Sequence, residues 1–380
     1  MNRRTFLQSA GMAGSLATLA GVNGCLPAPR GYAANPFHIR RGTQPVPKLR
    51  VSLDRVVKET VGLRPFRASG PRLDVQLLDH KTIVHNYGHG GSGWSLSWGT
   101  GSIAREKAEA TGEKKFAVLG CGTVGLATAR LLQEKGYEVT IYTREMPPHV
   151  TSFLATGTWS PSYWVCDPEK ITPEFRACWE RACRFSFRTF QNLLGFNDVV
   201  CWVDEYHVRH EPPGPPGGPE PLEIGGLLPE RVALGRREHP FRARYVSRMT
   251  SMMFNIPTYL HKQLGDFLLF GGKVQVREIK RLEDIDALPE KCIINCMGLG
   301  AKSVFNDEEL TPVSGQLACL IPQPEVTYRL STPGAYAIAR KDGIYLGGNS
   351  IVGNWDTTPD RAHTEKVVHV LQELMKDMRG

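Results

Sequence analysis

Three glycines spaced as G-x-G-x-x-G are the residues whose pattern indicates chemistry most directly. Gly120, Gly122 and Gly125 follow an apolar run typical of a buried parallel strand, and a helix-like segment follows them. Gly120 permits a tight turn, Gly122 lets a pyrophosphate approach the backbone, and Gly125 lets the helix press against the strand. The free N–H groups at the start of that helix attract the diphosphate. The sequence therefore predicts a dinucleotide site, but these glycines alone leave NAD and FAD open.

The contact with the adenosine ribose follows less directly from the sequence. An acidic residue about 20 positions after the glycines usually binds this ribose. The second predicted strand, residues 137–142, is followed by Thr143, Arg144 and Glu145. Glu145 is the acid that we predict for this role, although Arg144 occupies the expected position.

Two further loops have compositions suited to a ligand. Residues 85–94 place four glycines within six positions, between histidine and tryptophan, so they cannot form a regular helix or strand. Such a loop can bring backbone N–H groups close to an anionic or planar ligand. Residues 95–109 are predicted to form the helix after it. Residues 151–161, rich in serine, threonine and glycine, can hold the edge of a cofactor with hydroxyls and backbone amides.

Composition excludes several classes of partner. The formal net charge is +8, but the first 50 residues carry many arginines and lysines and no acid. The remainder is closer to balance, so we expect no nucleic-acid partner. No apolar run reaches the roughly 18 residues of a transmembrane helix. The nine cysteines show no C-x-x-C pair and no Cys/His ligand spacing, so we expect no metal site.

The N-terminal residues are predicted to direct export rather than to belong to the fold. Residues 2–7 resemble a twin-arginine motif, so residues 1–34 are interpreted as the export signal of a periplasmic or secreted protein. Two maturation sites stay open, lipidation at Cys25 and cleavage near residues 32–34. The Pro- and Arg-rich residues 35–50 are interpreted as a linker.

The motifs of residues 51–380 together resemble those of the D-amino acid oxidase family of FAD enzymes. The loop at residues 85–94 carries the most specific likeness, because it is similar to the family's signature segment. The other similar blocks are residues 118–126, 151–161, 295–298, 315–316 and 346–355.

The order of these blocks differs from the family's order. The family carries its Gly-Leu-Arg-Pro and His-Asn-Tyr-Gly-His-Gly-Gly segments at the C-terminus. Here they are residues 62–65 and 85–91, which precede the dinucleotide strand. A circular permutation joined through residues 111–115 would produce this order, at little cost where chain termini lie close together. The alternative is a fusion of unrelated pieces.

The resemblance implies an α/β fold in which a mixed α+β substrate domain is inserted into a circularly permuted, Rossmann-like FAD-binding domain. The flavin is then expected between the loop at residues 85–94 and the later strand–turn–helix. The implied boundaries are residues 51–78 for the substrate-domain strand with Arg64, 79–162 and 271–312 for the FAD-binding domain, and 163–270 and 313–380 for the remaining substrate domain.

The resemblance also implies roles on the substrate side of the site. Arg64 corresponds to an arginine that pairs with the substrate carboxylate through two parallel bonds, for which a planar guanidinium is well suited. Tyr336 corresponds to a tyrosine whose hydroxyl touches the same carboxylate, and Gly91 to the residue whose carbonyl receives the amino group. The family's second tyrosine, on a lid, has no counterpart in the shorter segment 331–335.

The cofactor implied by the resemblance is FAD, and no metal is implied. Its predicted contacts are Gly90, Gly91, Ser92, Gly93, Trp94, Ser95, Gly120, Gly122, Thr123, Val124, Gly125, Glu145, Thr151, Ser152, Gly157, Thr158, Ile279 and Gly298. His85 and His89 lie in the first of these segments. The family's segment acts through its backbone, so we expect both histidines to be structural.

The implied reaction is oxidative deamination of a D-amino acid. The site orients the substrate Cα–H toward flavin N5 for hydride transfer, and water then releases a 2-oxo acid and ammonia. Oxygen, giving hydrogen peroxide, is the expected acceptor. Three alternatives stay open: a flavin-dependent amino- or imino-acid dehydrogenase using a quinone or another acceptor, a flavin-binding protein without turnover, and a nicotinamide-dependent dehydrogenase. A homodimer is compatible with the sequence.

Overall fold

The computed structural model describes residues 46–196, 198–212 and 222–379. The predicted export signal and the first part of the predicted linker lie outside these ranges. The described helices are α1 (Gly93–Glu109), α2 (Thr123–Gln133), α3 (Pro173–Gln191), α4 (Ile256–Leu269), α5 (Leu282–Asp286), α6 (Ala301–Val304) and α7 (Arg361–Lys376). The described strands are β1 (Val56–Arg67), β2 (Val75–Leu78), β3 (Lys81–His85), β4 (Lys115–Leu119), β5 (Glu138–Thr143), β6 (Val200–Arg209), β7 (Val232–Leu234), β8 (Tyr245–Phe254), β9 (Lys273–Val276), β10 (Cys292–Asn295), β11 (Leu310–Leu320), β12 (Tyr328–Thr332), β13 (Ala335–Arg340), β14 (Gly343–Gly347) and β15 (Ile351–Val352).

A six-stranded sheet has the order β2-β3-β10-β4-β5-β9. All neighbours pair in parallel except β2, which is antiparallel to β3. One face of the sheet packs against α1, α2 and α4, and the other packs against α5 and α6. Parallel strands covered on both faces have continuous apolar sequences, which is why the sequence around β4 predicted a buried strand. The predicted α/β class is confirmed.

A second, nine-stranded sheet is mainly antiparallel and has the order β1-β11-β14-β13-β12-β6-β8-β7, with β15 paired to β11. The Gly-Leu-Arg-Pro segment lies inside β1, where Arg64 is opposite Val313 and Pro65 is opposite Pro312. Proline is tolerated at position 65 because β1 is an edge strand. The sheet therefore holds Arg64 on regular backbone rather than on a loop.

Several elements pack across the predicted domain boundaries. β2, predicted within the substrate-domain segment 51–78, is the edge of the six-stranded sheet. α3 was expected in the substrate domain, but it packs against α1, where the N–H of Gly99 donates to Ser186 Oγ at 2.8 Å. α4 buries Tyr259 and Leu260 in the same core as α2. Trp179 and Ala182 of α3 are buried in one apolar cluster with Leu96 of α1.

The remaining features of the described chain concern cysteines, metals and membranes. The eight cysteines within the described residues are all free thiols. In those same ranges, histidine, cysteine and acidic side chains form no group of three or more that could hold a metal ion. Among the helices of the described part, none is long and apolar enough to cross a membrane.

Candidate active site

A cavity of about 1410 Å³ lies where the carboxyl ends of the parallel strands meet the nine-stranded sheet. The residue directly after each of the five parallel strands lines it: Asn86, Gly120, Arg144, Arg277 and Cys296. Ligands of open α/β sheets bind outside the carboxyl ends of the strands. The volume exceeds the roughly 300–1,000 Å³ typical of drug-sized ligands, so the cavity can hold a dinucleotide and a small substrate.

The glycine turn has the close packing that its spacing predicts. Gly120 has φ +103°, a conformation that L side chains rarely adopt. A Cβ at Gly125 would overlap the carbonyl oxygen of Gly120 and lie 3.0 Å from its carbon. A Cβ at Gly122 would lie 2.9 Å from Ser152 Oγ. The N–H of Thr123, at the start of α2, donates to that hydroxyl at 3.0 Å.

Unpartnered polar atoms at this turn fit FAD. Thr123 Oγ1 and Asn86 Oδ1 are buried without a hydrogen-bond partner, and both residues line the cavity. Buried polar groups are usually bonded, so these two atoms are free to form hydrogen bonds with a ligand in the cavity. The start of an eleven-residue helix beside them suits a pyrophosphate. The residues that would hold FAD here are Gly120, Gly122, Thr123, Val124, Ser152 and Asn86.

The end of β5 carries both residues considered for the ribose. Arg144 and Glu145 line the cavity, and they pair with each other at 3.3 Å between Arg144 Nη2 and Glu145 Oε2. Arg144 Nη1 also lies 3.8 Å from Oε1 of Glu278, which is two residues beyond the end of β9. Both side chains are about half exposed, so either can reach an adenosine ribose.

The predicted cofactor contacts divide into those at the cavity wall and those behind it. Those that line the cavity are Gly90, Gly91, Gly93, Trp94, Gly120, Gly122, Thr123, Val124, Glu145, Thr151, Ser152, Thr158, Ile279 and Gly298. Those that do not are Ser92, Ser95, Gly125 and Gly157. The Ser92 hydroxyl donates to the carbonyl of Tyr163 at 2.9 Å. Ser95 Oγ accepts from the N–H of Ser160 at 2.7 Å, so these serines hold loops together.

The side chain of Arg64 lines the cavity, and its guanidinium lies over Gly315 of the neighbouring strand β11. Gly315 lies two residues from Val313, the residue opposite Arg64, and so faces the same side of the sheet. A Cβ at Gly315 would lie 2.7 Å from the Arg64 Cζ. Arg64 Nη1 donates to the carbonyl of Val313 at 3.4 Å and to Ser350 Oγ at 3.5 Å. These long bonds leave the guanidinium available for a carboxylate.

Tyr336 lies on the same face of the same sheet. It is opposite Gly347 in the β13–β14 pair, and a Cβ at Gly347 would lie 2.6 Å from the Tyr336 Cζ. Burial raises the pKa of Tyr336 to about 12, and the positive charge of nearby Arg64 partly opposes this rise. The hydroxyl is therefore protonated at neutral pH and can donate to an anion beside Arg64.

Replacement of Gly315 by alanine tests this packing. The new methyl group would overlap the guanidinium of Arg64, which must then leave its position. Because the obstacle is the end of a flexible side chain, we expect the variant to fold and bind FAD normally. We expect carboxylate binding to weaken by about 2 kcal/mol, within the usual range for overpacking. Titration of the flavin absorbance with propionate measures the change, and an unaltered dissociation constant would contradict this geometry.

Two buried histidines in the signature loop are structural. His85 Nδ1 accepts from Asn295 Nδ2 at 3.2 Å, and His85 Nε2 donates to Gln76 Oε1 at 3.1 Å. His89 Nε2 lies 2.9 Å from the Thr100 hydroxyl. Burial lowers the pKa of His85 to about 4 and that of His89 to about 3. Both rings are neutral at physiological pH and engaged in hydrogen bonds.

Because the pKa values of these two histidines are lowered, we expect acid to destabilise the folded protein. The unfolded chain binds a proton near pH 6.5 that the folded chain does not bind, so the free energy of unfolding falls as pH drops from about 6.5 toward 4. The slope is up to about 1.4 kcal/mol per pH unit for each histidine. Urea unfolding of the FAD-loaded protein between pH 4.5 and 7.5 measures it. His89→Gln should flatten the slope, whereas His80→Gln, at an exposed ring, should not.

Several residues at the substrate end were not singled out individually from the sequence. Tyr163 follows the loop at residues 151–161, and Ser350 follows β14; both line the cavity. Glu205 on β6 and Arg329 on β12 form a buried ion pair in the wall, with 3.0 Å between Oε2 and Nη1. Only strand pairing brings these residues to the site, because they are scattered along the chain. Asn86 and Ser350 could have been found from their places in the similar blocks at residues 85–94 and 346–355.

The fold and the cavity together define a dinucleotide-binding protein in which both sheets line one cavity. The parallel sheet supplies the dinucleotide turn, and the nine-stranded sheet supplies Arg64 and Tyr336. The family model for FAD-dependent oxidoreductases of the DAO type matches residues 115–380. The chain therefore belongs to the DAO family of FAD-dependent oxidoreductases, and FAD is its cofactor.

Similar proteins carry related names. A D-amino-acid oxidase from Fusarium vanettenii is 39% identical over 294 residues, which cover 69% of this chain and 78% of that protein. A D-aspartate oxidase from Talaromyces thermophilus is 44% identical over 278 residues, which cover 64% of this chain and 73% of that protein. The structure of an L-amino acid deaminase from Proteus vulgaris, with its specific insertion deleted, is 12% identical in sequence to this chain and gives a TM-score of 0.49. The match covers 69% of this chain and 74% of the deaminase chain.

Proposed function

We propose that this protein catalyses the oxidative deamination of a D-amino acid, with oxygen as the electron acceptor. The observation that carries the proposal is that Arg64 and Tyr336 lie on the same sheet face and both line the cavity. The D configuration is supported by the names of the Fusarium vanettenii and Talaromyces thermophilus relatives.

The chain's own residues have simple tasks in this reaction. The guanidinium of Arg64 binds the α-carboxylate through two parallel bonds, and the Tyr336 hydroxyl donates a third. The carbonyl of Gly91, which also lines the cavity, accepts a hydrogen bond from the amino group. Bound FAD supplies the hydride acceptor for the substrate Cα–H. Since His85 and His89 are both committed to structural bonds, the protein acts by orientation rather than by a side-chain base.

Anaerobic mixing tests the proposal. The purified protein should be yellow, and its flavin absorbance should bleach with at least one D-amino acid and with none of the matching L-amino acids. Readmission of air should restore the colour and release hydrogen peroxide. A protein that bleaches with D-amino acids but reduces a dye without forming peroxide would be the dehydrogenase alternative. Bleaching by L-amino acids alone would overturn the proposal.

We also propose that the chain is a circular permutant of its family. The family model begins at residue 115, yet the residues before it supply β1 to one sheet and β3 to the other. The two ends of the described chain lie close, because Leu49 and Val51 share a core with α7 and Gln372 Nε2 donates to the Val51 carbonyl at 3.0 Å. A cut near residue 114 and a join between residues 380 and 46 would restore the family's order.

A rearranged gene tests the permutation. The chain 115–380 followed by a short linker and residues 46–114 should fold, bind FAD and give the same flavin spectrum. A control chain opened inside β4 should not fold, because it breaks the central strand. If the first rearranged chain binds no FAD while the parent does, the permutation is wrong.

Export through the twin-arginine pathway is a further proposal and rests on residues 2–7 alone. Replacement of Arg3 and Arg4 by lysine should leave the protein in the cytoplasmic fraction of the expressing cell. Unchanged fractionation of this double variant would contradict it.

A further inference from the structure

Tyr163 is a large side chain at the mouth of the substrate compartment. Its ring lies over the Arg64 guanidinium, with 5.6 Å between the Arg64 Cζ and the ring centroid. Its hydroxyl lies 3.0 Å from Ser350 Oγ. The residue lines the cavity and is 45% exposed, so it lies where the cavity meets solvent.

The main chain that carries Tyr163 is fixed. The carbonyl of Tyr163 accepts a hydrogen bond from the buried Ser92 hydroxyl at 2.9 Å. The next residue, Trp164, packs edge-on against Phe66 of β1 with ring centroids 5.4 Å apart. A Cβ at Gly91 would lie 2.8 Å from the Tyr163 carbonyl oxygen and would overlap its ring. A rigid base therefore presents a half-exposed aromatic ring between Gly91 and Arg64.

The opposite rim provides little cover. The turn between β12 and β13 contributes Thr332 and Gly334 to the cavity wall, and Pro333 and Gly334 are exposed. No aromatic residue lies in segment 331–335. Ser350, on the loop after β14, reaches both the Tyr163 hydroxyl and Arg64 Nη1. The hydroxyls of Tyr163 and Ser350 thus connect the loop after residue 161 to the loop after β14, next to the guanidinium of Arg64.

We propose that Tyr163 and Ser350 form a latch that covers the substrate carboxylate and holds Arg64 in its binding position. The proposal rests on the proposed function, because it assigns the bound group as an amino acid carboxylate. Tyr163 is a positioning residue that acts through Arg64 by a cation–π contact and through Ser350 by a hydrogen bond. A carboxylate at Arg64 replaces the weak 3.5 Å bond from Arg64 to Ser350, and the Tyr163 hydroxyl keeps Ser350 in place over it.

Three variants separate the parts of the latch. Tyr163→Phe keeps the ring and removes the hydroxyl, Ser350→Ala removes the other half of the same bond, and Tyr163→Leu removes both contacts of Tyr163. The probe is propionate, titrated against the visible absorbance of the FAD-loaded protein. We expect Tyr163→Phe and Ser350→Ala each to weaken propionate binding about fivefold, the usual effect of one net hydrogen bond. Tyr163→Leu should weaken it further, to about twentyfold.

The coupling between the two residues is the deciding measurement. The double variant Tyr163→Phe/Ser350→Ala should bind propionate as weakly as either single variant, because all three lack the same bond. The Michaelis constant for the amino acid should rise in parallel while kcat stays within about twofold. Flavin content and thermal midpoint, measured on each variant, separate these effects from misfolding.

Two different failures can be distinguished. If the wild-type protein neither binds propionate nor bleaches with any amino acid, the proposed function fails. If the wild-type protein binds propionate and the effects of Tyr163→Phe and Ser350→Ala simply add, or Tyr163→Leu binds it normally, the latch alone is wrong.

Discussion

Replacement of Arg64 by leucine is expected to leave FAD bound and to weaken binding of the amino acid carboxylate by about 2–5 kcal/mol, the cost of removing one partner of a buried charge pair. The loss is large because the guanidinium lies inside the cavity, where water replaces it poorly. FAD should stay bound, since Arg64 lies on β1 and the dinucleotide turn lies on the other sheet. Propionate titration and steady-state kinetics with the best D-amino acid measure the change.

Arg64→Lys is the matched control for charge. An ammonium group keeps the charge but cannot form two parallel bonds to a carboxylate. We expect an intermediate loss, with the Michaelis constant between those of the wild type and Arg64→Leu. A wild-type Michaelis constant in the leucine variant would remove Arg64 from the site.

Replacement of Gly125 by alanine should have the largest effect on cofactor binding. Its Cβ would overlap the carbonyl oxygen of Gly120, and both groups belong to the backbone of the turn. Because backbone cannot move aside like a side chain, α2 must shift away from β4. Overpacking of this kind costs up to about 3 kcal/mol, equivalent to a dissociation constant for FAD roughly a hundredfold higher. Flavin-to-protein ratio after dialysis and fluorescence titration with FAD measure it.

Gly265 provides the control for a glycine-to-alanine change within a helix. It lies in α4, and a Cβ there would meet nothing within 4 Å. Gly265→Ala should retain FAD and raise the free energy of unfolding by up to about 1 kcal/mol through helix propensity. If Gly125→Ala binds FAD as tightly as Gly265→Ala does, the close approach of the helix to the turn is not required.

Prediction from sequence succeeded where the signal is local. β4, the glycine turn and α2 are contiguous, and their backbone requirements are visible in residues 116–133. α1, predicted at residues 95–109, was likewise predicted within two residues of its observed ends. The family and the FAD cofactor, first expected from the signature loop and from blocks such as residues 151–161, are confirmed by the family match.

Prediction from sequence did not reach contacts that depend on strand order. The partner strand of β2 could not be predicted, because its short, half-exposed pattern fits either sheet. The ion pair of Glu205 with Arg329 requires β6 and β12 to be neighbours, and no local pattern specifies this parallel pairing. Tyr163 could not be identified because the sequence does not show which loop reaches the rim opposite Ser350.

The sequence by itself determined the dinucleotide turn and the identity of the cofactor family, because glycine spacing and loop composition act over a few consecutive residues. Only the tertiary structure decided that Arg64 and Tyr336 face one cavity beside that turn. The two residues lie near opposite ends of the chain, on β1 and β13, and their side chains share a sheet face only because β11 and β14 lie between these strands in register.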